Sequence, residues 1–137
     1  MTDEPSTDWK GYGIDQAVVE QWVRTRFGDK VFEDVDERLN RAFEEMVELK
    51  QSEARDKVKA RADAHKIVDR VFDRPAGDPA QEAGGVIVTL LAYCALRGAR
   101  FDKLAGVEIT RIMKTDPAVF RKKQGEKADL GIAMRPE

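Results

Sequence analysis

From Asp34 to Arg74 the chain carries neither glycine nor proline. No other feature narrows its folding options so far. Within that stretch Leu39, Phe43, Met46 and Lys50 recur at helical spacing, and Ala42, Val47 and Leu49 broaden the stripe. Such a pattern without breakers reads as helix, not strand. One continuous helix of that length would be unusual in a globular domain. The reading therefore places a break near Gln51–Asp56, with Ser52 as cap, and a further helix to about Phe72. That helix is basic, with Lys57, Lys59, Arg61, Lys66 and Arg70 along it.

The flanks extend the helical pattern. Asp15 is placed to cap a helix ending at Phe27, with Gly28 as its stop. Asp78 followed by Pro79 is a strong helix start, an acid cap with proline at the first position. The helix it opens reaches about Arg97, and Val86–Leu96 is apolar on nearly all sides. Such a helix sits at the centre of a bundle or in an oligomer interface. A further helix covers about Lys103–Lys114, and Pro117 starts a short last one. With no βαβ rhythm, the expected class is all-α: a compact bundle of four to six helices that forms a homodimer or homotetramer. Residues 1–13 read as an N-terminal arm, 14–124 as a single domain and 125–137 as a flexible tail.

Composition excludes several classes. The 137 residues fit one domain. An apolar share of 42% rules out wholesale disorder. The net charge of −2 speaks against sequence-independent nucleic-acid binding. The lone Cys94 permits no internal disulfide, and with no basic leader the expected location is the cytoplasm. The apolar run Val86–Leu96 is too short to cross a bilayer, so no membrane role is expected. His65 has no companion at ligand spacing, and Cys94 reads as core.

Chemistry concentrates in the acids. Glu44, Glu45 and Glu48 form E-E-x-x-E on one side of a helix, where like charges repel. A solvated acidic face is the simplest explanation. Glu82 adds weight to another. It lies in the first turn of the most apolar helix, one turn after Asp78, where an unpartnered charge is costly. Two helices can offer such carboxylates to one space, and oxygen donors suit magnesium or manganese.

The segment Arg38-Leu39-Asn40-Arg41-Ala42-Phe43-Glu44-Glu45-Met46-Val47-Glu48-Leu49, an insert, and then Glu82-Ala83-Gly84-Gly85-Val86-Ile87-Val88-Thr89-Leu90-Leu91 resembles the MazG-like nucleoside triphosphate pyrophosphohydrolases, of the all-α NTP pyrophosphatase superfamily. The family pattern is E-E-x-x-E, a linker and E-x-x-D. The likeness covers about residues 14–124, is specific only in these two segments, and is closest to small stand-alone phage and bacterial members. Gly85 stands where the family has its aspartate, so either a water or Asp78 replaces that ligand or the activity is lost.

The resemblance implies Mg²⁺-dependent cleavage of a nucleoside triphosphate to the monophosphate and pyrophosphate, with Mn²⁺ as a substitute. The substrates it suggests are deoxynucleoside triphosphates, dGTP or dATP foremost. Glu44, Glu45, Glu48 and Glu82 would be catalytic, with Glu45, Glu48, Glu82 and Asp78 on the metal. Glu44 would be a further ligand or the base that orients water. Lys114 and Arg121 would meet phosphates, among a basic group that includes Arg111, Lys122 and Lys123. Trp22 would stack on a base or pack in the core, and Asn40 would bond a base or sugar. Arg38 and Arg41 could instead brace the acids. The rival reading is a non-catalytic helical interaction module with an acidic face.

Overall fold

A computed structural model of the chain describes residues 15–136. The arm expected over residues 1–13 lies outside the described residues. Among those described there are seven helices and no strand: α1 Gln16–Phe27, α2 Asp29–Glu33, α3 Val35–Glu53, α4 Lys57–Phe72, α5 Pro79–Leu96, α6 Phe101–Lys114 and α7 Pro117–Asp129. The all-α class follows from these elements.

Local chemistry sets most of the boundaries. Asp15, Asp34, Asp56, Asp78 and Asp116 each cap a helix, their side chains accepting a backbone N–H from the first turn. Gly28, at φ 100°, separates α1 from α2 in a backbone conformation that only glycine adopts readily. The short α2 is not apparent in the sequence pattern. Ser52 does not cap α4; its hydroxyl donates back to the Leu49 carbonyl at 2.7 Å. Asp56 takes that role, after the break between Glu53 and Lys57.

The packed part of the chain lies around α1, α2, α3, α6 and α7. Among the described residues Val23, Val31 and Ile109 are its buried apolar side chains. Trp22 meets Phe120 edge to face at 5.2 Å and Phe27 at 5.8 Å, which joins α7 to α1. A buried carboxylate, Glu37, ties α3 to the C-terminal segment: it accepts from Gln124 Nε2 at 3.1 Å and from the Met134 backbone N–H at 3.0 Å.

Two expectations are corrected. The chain from residue 125 is not a free tail, because α7 continues to Asp129 and the Ile132 and Met134 carbonyls accept from Arg41 and Gln124. Nor does one copy make the compact bundle that was expected. Neither α4 nor α5 contains a buried residue. Instead, α5 leans on α3 chiefly through its C-terminal half, where Tyr93 and Arg97 bond Glu53. The reason is geometric: among the described residues no other helix packs over the outer side of α5.

Candidate functional site

The acid-rich side of α3 lies among neighbouring side chains. Glu44 is held by two cations: Arg41 Nη1 donates to its Oε1 at 3.0 Å, and Lys127 Nζ on α7 stands 2.7 Å from the same oxygen. Arg41 also leans toward Glu37 at 3.3 Å, so it braces two carboxylates of its own helix. Asn40, next in line, points its amide to the Ile132 carbonyl at 3.5 Å.

Glu45 is the perturbed member of the group. Its carboxyl is pushed above the ordinary carboxylate range, first by partial loss of its solvation and then by the charges of Glu48, Glu108 and Glu44, with Lys127 opposing. Charge repulsion of this kind favours the protonated acid. Glu108 comes from α6, and sequence reasoning missed it. Its own carboxyl is held below the usual range by the Arg111 guanidinium, which grips it at 2.9 and 2.6 Å. The Glu108–Arg111 spacing of one helical turn was a legible ion-pair signal, but nothing in the sequence placed that pair against α3.

The acids of α5 are elsewhere. Asp78 caps its helix, accepting the Gln81 N–H at 2.9 Å. Glu82 folds back over Gly77: a Cβ built on that glycine would stand 2.3 Å from Glu82 Oε2. Among the described residues, no three Asp, Glu, His or Cys side chains come together closely enough to hold a metal ion. One copy therefore groups Glu44, Glu45, Glu48 and Glu108 loosely and leaves Glu82 and Asp78 out.

The expected nucleotide contacts are also dispersed. Trp22 is packed between Phe27 and Phe120, as the core-packing alternative would have it. Arg121 lies against α1, donating to the Arg26 carbonyl at 3.3 Å. Lys114 is exposed at the end of α6. The cations that face the acids are instead Arg41, Arg111 and Lys127. Lys127 escaped notice because its segment read as tail.

A second concavity lies between α3, α4 and α5. It is an open groove of ≈ 410 Å³ lined by Met46, Leu49, Ala60, Leu90, Lys50 and Tyr93, among others. Glu53 closes one end, accepting the Tyr93 hydroxyl at 2.6 Å and Arg97 Nε at 2.8 Å.

Comparison of the chain with models of known protein families, with curated proteins and with solved structures finds no match.

Proposed function

We propose that the chain is a divalent-metal-dependent nucleoside triphosphate pyrophosphohydrolase of the MazG-like kind, acting on a deoxynucleoside triphosphate. The observation that supports this reading best is the mutual repulsion centred on Glu45. Glu45, held above the ordinary carboxylate range by partial desolvation and by the charges of Glu48, Glu108 and Glu44, with Lys127 only partly opposing, is suited to be an oxygen donor for a hard cation. Glu45 and Glu48 would hold the ion, with Glu108 as the added donor from α6. Glu82 would join only if α5 is brought to the acids by rearrangement or by a second copy.

A bound Mg²⁺ supplies charge neutralisation for the triphosphate and acidifies water. The side chains of the chain do the rest. Arg111 and Lys127 flank the acids and are suited to phosphate oxygens. Glu44, steadied by Arg41 and Lys127, is suited to orient the attacking water toward the α-phosphorus. Pyrophosphate leaves, and the nucleoside monophosphate remains.

The rival, an acidic-face interaction module, draws support from the separation of Glu82 from Glu45 and Glu48 and from Gly85 in place of an acid. Incubation with each deoxynucleoside triphosphate and Mg²⁺, read as pyrophosphate release, separates the two. Turnover that falls at least about 100-fold in Glu48→Gln supports the hydrolase. No product from any nucleotide, with no heat of Mn²⁺ binding, supports the module.

A further inference from the structure

The C-terminal segment lies over one of the cations at the acids. Helix α7 closes on Gly131, which has φ 79°. The Gly131 N–H donates to the Ala128 carbonyl at 3.0 Å, and the Ile132 N–H to the Lys127 carbonyl at 3.1 Å. This glycine-ended cap turns the chain off the helix. Residues 132–134 then cross the first half of α3 as a strap. Its far end is pinned by two bonds. The Met134 N–H donates to Glu37 at 3.0 Å, and the Met134 carbonyl accepts from Gln124 Nε2 at 2.7 Å.

Between these anchors the Ile132 carbonyl accepts from Arg41 Nη2 at 2.7 Å and from the Asn40 amide at 3.5 Å. Arg41 is the least open of the three cations at the acids. Its side chain is 20% exposed, against 27% for Lys127 and 61% for Arg111. The guanidinium serves two carboxylates, Glu44 at 3.0 Å and Glu37 at 3.3 Å, and one neutral carbonyl. A phosphate oxygen makes a charge-assisted bond to arginine that a neutral carbonyl does not match. Of the three partners, Ile132 is therefore the one that a polyphosphate replaces with a gain.

We infer that residues 132–134 form a displaceable strap over Arg41, and that the phosphate chain of a nucleotide competes with the Ile132 carbonyl for that guanidinium. The strap rests on the proposed reaction for the identity of its competitor. It adds Arg41 to Arg111 and Lys127 as a cation for phosphate, and the same displacement uncovers Asn40. Strap opening and anion binding are then linked. Whatever factor opening adds to the affinity, the anion adds to opening.

Inorganic pyrophosphate with Mg²⁺ is the probe, because it is the product of the proposed reaction and is not consumed by it. Two full-length variants loosen the strap. Gly131→Val is strained at a positive φ, and Met134→Pro lacks the N–H that Glu37 accepts. Calorimetry should show both binding Mg²⁺–pyrophosphate at least about fivefold more tightly than the wild type, and Arg41→Gln added to either should abolish the gain. In the wild type, saturating Mg²⁺–pyrophosphate should speed amide hydrogen exchange of residues 130–136 by a similar factor. If one variant does not fold, the other and the exchange measurement decide. Binding that is unchanged or weaker in the loosened variants, or exchange slowed by pyrophosphate, would overturn the strap and leave the hydrolase reading standing. Absence of pyrophosphate binding in every protein would overturn both.

Discussion

Gln124 donates its side-chain amide to the Glu37 carboxylate at 3.1 Å, and both residues are almost wholly buried, at 4% and 2% exposure. This bond fixes α7 against the first turns of α3. It also sets where Lys127 stands, one helical turn further on, beside Glu44. Glu37 accepts hydrogen bonds from Gln124 and the Met134 N–H and is the counter-charge to Arg41 at 3.3 Å and Arg38 at 3.6 Å.

Removing the charge of Glu37 should therefore cost stability. Glu37→Gln leaves two arginines short of a buried counter-charge and is expected to destabilise by about 2–4 kcal/mol. Gln124→Leu removes only a neutral donor from that carboxylate and is expected to cost about 1–2 kcal/mol. Urea unfolding followed by circular dichroism measures both. A near-neutral Glu37→Gln would contradict this account of the clasp.

How much of this was legible beforehand differs from element to element. Asp15, Gly28, Asp78 and Pro79 announced their helix boundaries because capping is local chemistry. The break before Lys57 was legible for the same reason, although Asp56 and not Ser52 provides the cap. Glu37 was not legible. A charged residue in a first turn reads as a dipole partner on the surface, and only tertiary contact with residues almost ninety positions away buries it. The candidate site divides along the same line. Helical spacing put Glu44, Glu45 and Glu48 together, but Glu108 and Lys127 arrive from α6 and α7, and Glu82 does not arrive within one copy. Sequence spacing carries no information on how separate helices approach one another.

The raised pKa of Glu45 has a consequence for stability. An acid that binds its proton more tightly in the fold than in the unfolded chain weakens the fold as pH rises from the ordinary carboxylate value through the raised one. Glu45→Gln should match the wild type below that window and exceed it at pH 7. The expected gain is about 0.5 kcal/mol, kept small by solvent screening of an exposed group. Mg²⁺ should shrink the difference by relieving the same repulsion. Thermal melts from pH 4 to 7.5, with and without Mg²⁺, read this directly, and a Glu45→Gln variant less stable than wild type at neutral pH would contradict it.

The Tyr93 phenol donates to Glu53 and is thereby pushed above its ordinary range, with Arg97 opposing. Ionisation would turn this donor into an anion facing a carboxylate. Ultraviolet absorbance titration should show one tyrosine ionising at higher pH than a free phenol. Glu53→Gln should return it toward the ordinary value. An unchanged titration in that variant would show that the bond is not formed in solution.

Gly77 leaves the space that Glu82 occupies. Gly77→Ala would place a Cβ 2.3 Å from Glu82 Oε2, so the carboxylate must swing away. If Glu82 acts in the reaction from another orientation, Gly77→Ala should leave turnover within about threefold of wild type, while Glu82→Gln should lower it at least about 100-fold. Equal activity in all three proteins would remove Glu82 from the site.

If the acids of α3 bind a divalent ion and thereby promote cleavage of a nucleoside triphosphate, ion binding and turnover must be lost together when those acids are neutralised. Isothermal calorimetry of Mn²⁺ into the wild type and into the Glu45→Gln/Glu48→Gln double variant, paired with pyrophosphate release from dGTP and dATP on the same samples, tests it most directly. Saturable Mn²⁺ binding and pyrophosphate release are expected in the wild type, and loss of both in the double variant. Mn²⁺ binding and turnover that survive the double substitution, or a wild type that shows neither, would contradict it.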